Sequence, residues 1–146
     1  MDRQALERQL RVHEGLKVKP YRDTVGKITI GIGRNLDDVG ISPEEALHLL
    51  NNDIDRVERV LPDLIVGYHK LDDVRQRVLA DMCFNLGQAG LKGFARFINC
   101  VNVGNFSLAA REMLDSRWAK QVGRRAQTLA RMMETGKDEQ FLGGES

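Results

Sequence analysis

The segment Lys27-Ile28-Thr29-Ile30-Gly31-Ile32-Gly33 restricts the fold of this chain more than any other, because its isoleucines alternate with threonine and glycine. An alternation with a period of two is typical of a β-strand. A turn-forming glycine, Gly26, and the segment 19–24 precede this strand. We therefore predict a small antiparallel hairpin or three-stranded sheet over about residues 18–36.

Helical patterns lie on both sides of this sheet. Asp2 can cap a first helix that continues to Glu14, and Gly15 is suited to end it. Ser42-Pro43-Glu44-Glu45 is a capping box in front of an amphipathic pattern, which predicts a connecting helix of roughly 28 Å. Pro62 is expected to stop this helix, because proline lacks a backbone N–H and clashes with the preceding turn.

The rest of the chain is predicted to be helical. We expect helices around residues 74–87, 94–101, 107–118 and 124–134, a glycine-rich break after the first of them, and a loose tail at 143–146. The fold class is therefore α+β, with a small antiparallel β-sheet lobe and an all-helical lobe joined by a long helix. Within this single domain of residues 1–146, about 15–60 form the sheet lobe with the connecting helix, and about 1–14 and 61–146 form the helical lobe.

Length and charge exclude several classes of protein. The 146 residues suffice for one domain, and 22 Lys+Arg against 21 Asp+Glu leave a net charge of +1, which does not favour nucleic acid as a partner. No stretch approaches the ~18–20 apolar residues of a membrane span, and residues 1–5 lack the apolar core of a signal peptide. The two cysteines and three histidines match no disulfide framework and no metal-ligand spacing, so no metal or cofactor is expected.

Glu14 is the carboxylate that the pattern favours as an acid. It follows Leu6 and Leu10 at helical spacing, so it is expected to extend their apolar face at the C-terminal end of the helix. Burial and the partial negative charge of the helix end both favour the protonated carboxyl, which is the form that a general acid needs. A glutamate that points to water from a frayed helix end is the alternative interpretation.

Asp23 and Thr29 are the candidate partners of this acid. Regular alternation predicts that Ile28, Ile30 and Ile32 form a covered face, whereas Thr29 and the glycines form a bare face that a ligand can approach. A hydroxyl on the bare face, beside a turn carboxylate, could orient a water molecule. The alternative is a turn aspartate that bonds its own backbone, next to an ordinary solvent-exposed sheet.

Taken together, these residues resemble a known family. The run from Glu14 to Thr24, followed by Gly26 and the segment 29–33, closely resembles the catalytic segment of the phage-type lysozymes, or endolysins. Residues 42–54 are similar to the inter-lobe helix of that family, residues 84–87 with 93–94 to its cleft-lining segment, and residues 116–118 with 125–126 to its C-terminal helices. The resemblance therefore extends over almost the whole chain.

The resemblance implies roles for particular residues. Glu14 matches the general acid, Asp23 the second catalytic carboxylate, and Thr29 the hydroxyl that positions a water. A second set of residues matches substrate-binding positions of the cleft: Asn35, Phe84, Asn85, Phe97 and Arg125.

The chain also departs from the family pattern. The segment between Gly33 and Ser42 is much shorter than in the T-even phage enzymes, and Arg34 replaces a histidine that makes an ion pair there. Asn85 stands in place of a glutamine, and Phe97 and Glu112 stand where those enzymes have polar cleft contacts. We expect these departures to affect outer substrate contacts more than the chemistry.

The resemblance further implies an activity and a setting. The activity is hydrolysis of the β-1,4 bond between N-acetylmuramic acid and N-acetylglucosamine in peptidoglycan, with inversion, for lysis of the bacterial cell. The protein is expected to be a monomer without membrane insertion that stays in the host cytoplasm until a holin opens the membrane. Two alternatives stay open: a lytic transglycosylase, which adds no water, and a non-catalytic peptidoglycan-binding relative.

Overall fold

The computed structural model describes residues 1–139, so the predicted loose tail at 143–146 lies outside the described residues. The elements follow in the order α1 (Arg3–Glu14), β1 (Lys17–Arg22), β2 (Ile28–Gly31), β3 (Arg34–Asn35), α2 (Pro43–Leu64), α3 (Asp73–Lys92), α4 (Ala95–Asn102), α5 (Phe106–Leu114), α6 (Arg117–Val122) and α7 (Arg124–Thr135). A short 3₁₀ turn at Tyr68–Lys70 precedes α3. This order confirms the predicted α+β, lysozyme-like class.

The chain divides into two compact units, and the boundary lies inside α2. The first unit is Met1–Leu49, and the second unit begins at Leu50. The predicted assignment of residues 1–14 and 61–146 to one lobe stays a prediction. Within residues 1–139, no helix combines the length and the apolar character needed to cross a bilayer.

Helix α1 begins and ends as its capping residues predict. The Asp2 side chain accepts a hydrogen bond from the Ala5 N–H at 3.0 Å, which satisfies one of the free donors of the first turn. Gly15 leaves the helix with a φ of 73°, and its N–H donates to the Arg11 carbonyl at 3.0 Å. Glu14 is therefore the last residue of the helix.

The first unit contains the predicted three-stranded antiparallel sheet, in the order β1-β2-β3. Thr29 in the central strand pairs with Tyr21 on one side and with Asn35 on the other. The pairing of β1 with β2 is irregular between Lys17 and Tyr21. Pro20 lies in this irregular stretch, where its missing N–H removes no regular ladder bond.

The prediction of a covered isoleucine face and a bare threonine face is wrong. Thr29 is only 3% exposed, whereas Ile28 and Ile30 are half-buried and Ile32 is 37% exposed. The strand also ends at Gly31, because Gly31 takes a φ of 72° and leaves the extended region. Alternation shows which side chains share a face, but it does not show which face the rest of the chain covers.

Helix α2 begins with the predicted capping box. The Ser42 hydroxyl accepts from the Glu45 N–H at 3.1 Å, and the Glu45 carboxylate accepts from the Ser42 N–H at 2.8 Å. The prediction that Pro62 stops the helix is wrong, since α2 continues to Leu64 with the proline inside it. Leu61 and Ile65 are 0% and 1% exposed, and their burial favours the helical path across the proline.

Arg34 forms an ion pair with Glu45. The two guanidinium nitrogens of Arg34 donate to the two Glu45 oxygens at 2.8 and 2.6 Å, and Arg34 also donates to the Gly40 carbonyl at 3.0 Å. Hydrogen bonds from Arg34 and from the Ser42 N–H hold the pKa of Glu45 at about 2, below its ordinary value of 4.5. This pair joins β3 to the first turn of α2.

We expect the Arg34–Glu45 pair to make stability depend on pH in an acidic window. Because the folded-state pKa is lowered, the contribution is fully present above pH 4.5 and is lost as the pH falls through about 2. Glu45→Gln keeps an acceptor for the Ser42 N–H but removes the charge. The difference in unfolding midpoint between wild type and Glu45→Gln, followed by circular dichroism, should shrink between those two pH values. A difference that stays constant across this window would contradict the prediction.

The second unit is helical around one hydrophobic core. Its most buried side chains come from α2 to α7, with Val78, Leu79, Met82, Leu91, Met113 and Met133 all 0% exposed. Helix α3 continues to Lys92, but Gly87 inside it has a φ of 78°, so the predicted glycine break is present as a kink. Cys83 and Cys100 are buried free thiols, and burial raises the pKa of Cys83.

The prediction of a single helix over residues 107–118 is wrong, because the chain forms α5 and α6 with a break at Ser116. The Ser116 hydroxyl donates to the Met113 carbonyl at 2.6 Å and accepts from the Ala119 N–H at 3.1 Å. One side chain therefore ends α5 and caps α6. The break gives Trp118 an orientation in which only 3% of it is exposed.

Candidate active site

Glu14 lies at the C-terminal end of α1, where the partial negative charge of the helix dipole is found. Its side chain is exposed. The predicted burial on an apolar helix face is wrong, because no residue of α1 is buried and Leu10 is 40% exposed. Two leucines four residues apart define one side of a helix, but they do not ensure that another part of the chain covers it.

Gly33, in the turn between β2 and β3, lies against the carboxyl group of Glu14. A Cβ atom built on Gly33 would be 2.8 Å from the Glu14 carboxyl carbon and 2.8 Å from its Oε2. Ordinary contact distances between carbon atoms are ~3.5–4.0 Å, so only glycine leaves the space that this carboxyl occupies. Sequence reasoning placed Gly33 on a bare strand face, and it did not detect this contact with Glu14.

Asp23 occupies the turn between β1 and β2 and is half-buried. Its Oδ1 accepts from the backbone N–H groups of Val25 and Lys27 at 3.0 and 2.8 Å. The aspartate therefore bonds its own turn, as the alternative interpretation expects. Its Oδ2 accepts no hydrogen bond from any described residue, so this oxygen is available to a ligand.

Thr29 holds its hydroxyl proton in a fixed direction. The Thr29 Oγ1 donates to the Lys27 carbonyl at 3.1 Å. Because a hydroxyl carries one proton, the lone pairs of this oxygen remain as acceptors for a donor such as water. No other polar side chain within residues 1–139 is as buried as Thr29.

Lys27 connects Asp23 with Thr29 through its backbone. Its N–H donates to Asp23 Oδ1 at 2.8 Å, while its carbonyl accepts from the Asp23 N–H at 2.8 Å and from the Thr29 hydroxyl. The structure therefore brings these two candidate residues together. Sequence reasoning missed Lys27, although an aspartate four residues before it, with Gly26 between them, is typical of a tight hairpin turn.

Asn35, a predicted substrate contact, makes hydrogen bonds to the loop that follows its own strand. Its amide nitrogen donates to the Asp38 carboxylate at 3.0 Å, and its amide oxygen accepts from the Asp38 N–H at 3.0 Å. Both ends of the Asn35 amide therefore hold the loop after β3. These two bonds use one N–H and one lone pair of the amide, so the sugar-binding role of Asn35 stays a prediction.

In the second unit, Phe84 and Arg125 line one cavity of about 690 Å³. Phe84 is 48% exposed, which leaves its ring accessible. Arg125 donates to the Asp81 carboxylate at 2.6 and 2.9 Å, and Asp81 lines the same cavity. Asp81 was not predicted from the sequence as a site residue, although it lies four residues before Asn85 and therefore on the same side of α3.

Asn85 and Phe97 occupy different surroundings. The Asn85 carbonyl oxygen accepts from the Trp118 indole N–H at 2.8 Å, so its amide NH2 is the part that remains for a ligand. Phe97 is 1% exposed and packs edge-on against Phe94, with ring centroids 6.2 Å apart. The prediction of Phe97 as a substrate contact is wrong, because the inward side of α4 places its ring in the core.

Within the described residues, no group of three or more His, Cys, Asp or Glu side chains could hold a metal ion. The side chains that could act on a ligand in the first unit are Glu14, Asp23 and Thr29. The small three-stranded antiparallel sheet in a mainly helical chain defines a lysozyme-like α+β protein.

The sequence model of the phage lysozyme family matches residues 11–134. The chain therefore belongs to the phage lysozyme family, and at the level of that family it is a peptidoglycan hydrolase of the glycosidase class. The matched residues include the three candidate catalytic side chains and most of the second unit.

Several relatives support this assignment. "Probable T4-type lysozyme 2" of Dictyostelium discoideum is 28% identical over 162 residues, which cover 90% of this chain and 95% of the relative. "Endolysin" of Acyrthosiphon pisum secondary endosymbiont phage 1 is 30% identical over 117 residues, which cover 77% of each protein. "Pre-baseplate central spike protein Gp5" of Enterobacteria phage T4 is 27% identical over 165 residues, which cover 94% of this chain but 29% of that protein.

Proposed function

We propose that this protein is a muramidase, which hydrolyses the β-1,4 bond between N-acetylmuramic acid and N-acetylglucosamine with inversion. The proposal rests on one observation: the Asp23 and Thr29 side chains both make hydrogen bonds to the backbone of Lys27. These hydrogen bonds leave Asp23 Oδ2 and the lone pairs of Thr29 Oγ1 available as acceptors for the same ligand. A water molecule can donate its two protons to these two acceptors.

The two acceptors orient the bound water so that it can attack the sugar. It donates one hydrogen bond to Asp23 Oδ2 and one to the Thr29 hydroxyl oxygen, so a lone pair points away from both towards the sugar. As the water oxygen bonds to the anomeric carbon, Asp23 accepts the proton that the water loses. Thr29 keeps its own proton on the Lys27 carbonyl and only orients the water.

Glu14 is the general acid in this proposal. Its carboxyl donates a proton to the glycosidic oxygen as the bond to the anomeric carbon breaks, and solvent then restores the starting protonation of both carboxyl groups. Inverting glycosidases hold their two carboxyl groups ~6.5–9.5 Å apart to admit the water, and the proposal requires such a separation between Glu14 and Asp23. The three side chains suffice for this chemistry.

We expect Asp23→Asn to reduce the rate of glycan cleavage by ~10²–10⁴-fold, because the amide cannot accept the proton from water. Purified peptidoglycan is digested in H₂¹⁸O, and the products are identified by mass spectrometry and by the anomeric signals in early NMR spectra. Wild type should release reducing-end muramic acid that carries ¹⁸O. Asp55→Asn, an exposed change on α2, serves as a matched control and should retain wild-type activity.

Other products would select a different function. Anhydro-muramyl ends and a nearly silent Asp23→Asn would identify a lytic transglycosylase, in which no water is added. Wild type that binds the wall without releasing fragments would identify a non-catalytic peptidoglycan-binding protein. Retention of configuration at the anomeric carbon would contradict inversion but would leave the proposed hydrolysis standing.

The cellular setting follows from the same proposal. The protein acts as a monomer on peptidoglycan glycan strands, stays in the host cytoplasm until lysis, and reaches the wall after a holin has opened the membrane. Membership of the phage lysozyme family and the endolysin among its relatives support this proposal. Expression in a bacterial host with and without a holin tests it, since only the pair should cause lysis.

A further inference from the structure

The peptide group between Lys27 and Ile28 lies at the centre of the proposed catalytic sheet. Its carbonyl oxygen accepts from the Asp23 N–H at 2.8 Å and from the Thr29 hydroxyl at 3.1 Å. Its N–H points to the opposite side and donates to Asp37 Oδ2 at 2.9 Å. One planar group therefore connects both candidate catalytic residues with a carboxylate that lies outside the proposed chemistry.

Because the peptide group is planar, its N–H and C=O cannot change direction independently. The six atoms of a peptide group lie close to one plane, so a partner that fixes the N–H direction also fixes the C=O direction. A charged acceptor such as Asp37 makes a stronger hydrogen bond than a neutral carbonyl does. It also polarises the peptide group, which strengthens the hydrogen bond that the carbonyl accepts from Thr29.

The loop after β3 holds Asp37 in place. The Leu36 N–H donates to the Ile28 carbonyl at 2.7 Å, so both backbone groups of Ile28 bond this loop. Asp38 accepts from the Lys27 ammonium at 3.1 Å and bonds both ends of the Asn35 amide. The loop is thereby fixed on both sides of Asp37.

The Asp37 carboxylate extends the sheet where the backbone ladder ends. Strands β2 and β3 pair at Thr29–Asn35 and Ile30–Arg34, and β3 stops at Asn35. No further strand residue presents a carbonyl to the Ile28 N–H, and the Asp37 side chain takes that place.

We propose that Asp37 is a positioning residue for the proposed hydrolysis, which orients the Lys27–Ile28 peptide group so that its carbonyl holds the Thr29 hydroxyl and the Asp23 backbone. The inference rests on the proposed function and goes beyond it by adding a residue that touches no substrate. Asp37 acts on the attack of water, so its loss should lower kcat more than it changes KM.

The test compares Asp37→Ala with Asp37→Asn. Alanine removes the acceptor, and we expect kcat on purified peptidoglycan to fall by about tenfold, less than the ~10²-fold that a 1 Å misplacement at the reacting atoms can cause. Asparagine keeps an oxygen that can accept from the Ile28 N–H, so it should restore kcat to within a fewfold of wild type. KM should stay within about twofold in both variants, because the substrate-binding surface is untouched.

Asp2→Ala is the matched control. It removes another aspartate that accepts a backbone N–H in the same unit, at the start of α1. We expect a comparable drop in the unfolding midpoint and an unchanged kcat. Hydrogen exchange of the Ile28 amide should accelerate in Asp37→Ala and stay slow in Asp37→Asn and Asp2→Ala.

The outcomes separate this inference from the proposed function. An unchanged kcat in Asp37→Ala, with active wild type, would overturn the positioning role and leave the muramidase proposal intact. A loss of kcat that asparagine fails to restore would also overturn it, because the hydrogen bond would then not be the cause. Inactive wild type with accelerated Ile28 exchange in Asp37→Ala would refute the proposed hydrolysis, and with it the positioning role of Asp37.

Discussion

Glu14→Gln is expected to lower the rate of peptidoglycan cleavage by ~10²–10⁴-fold, because an amide has the size of the carboxyl but no proton to give. Folding should be almost unaffected, since Glu14 is exposed at the end of α1 and the glutamine preserves the helix. Initial rates are measured from the reducing ends that are released from purified peptidoglycan. Unfolding midpoints of the same preparations show that the variant is folded.

Glu7→Gln provides the comparison for Glu14→Gln. It makes the same chemical change at an exposed position of the same helix, and it should retain the wild-type rate and stability. If Glu14→Gln retained more than a tenth of the wild-type rate, the role of Glu14 as the general acid would be untenable.

Gly33→Ala is expected to lower the cleavage rate by about 10²-fold, the effect that a misplacement of about 1 Å can have on a reacting group. The added methyl group would meet the Glu14 carboxyl at 2.8 Å, and the flexible end of the glutamate would have to move away. The clash therefore displaces the acid, beyond the backbone strain that any alanine at a φ of 73° would carry. Its effect should be seen in kcat more than in the free energy of unfolding.

Gly31→Ala separates this displacement from backbone strain. Gly31 and Gly33 have φ values of 72° and 73°, so an alanine is strained by a similar amount at either position. A Cβ atom at Gly31 would have no other atom within 4 Å, however. The two variants should lose similar stability, and Gly33→Ala should be the less active one. Equal activities would show that strain in the turn, and not contact with Glu14, limits the reaction.

Features that depend on neighbouring residues were predictable from the sequence. The Asp2 cap, the Ser42–Glu45 capping box and the small antiparallel sheet are confirmed, because each is formed by residues close in the chain whose side chains have few alternative partners. The same holds for Glu14 as the end of α1, with Gly15 beyond it.

Predictions that required knowledge of the surroundings failed. Strand alternation placed Thr29 and the isoleucines on opposite faces but did not show which face is covered. A hydrophobic pattern likewise could not show that Phe97 lies in the core and that Glu14 stays exposed. In each of these cases, the burial of a side chain depends on segments that are distant in the chain.

The sequence by itself determined the family, the α+β class with its small antiparallel sheet, and the three candidate catalytic residues, because these follow from local patterns and a distinctive motif. Only the tertiary structure placed Gly33 against Glu14 and the Asp37 carboxylate on the Ile28 N–H. These contacts join residues that lie 19 and 9 positions apart in the chain. Their geometry arises when loop, sheet and helix end pack together, which no local preference of the chain encodes.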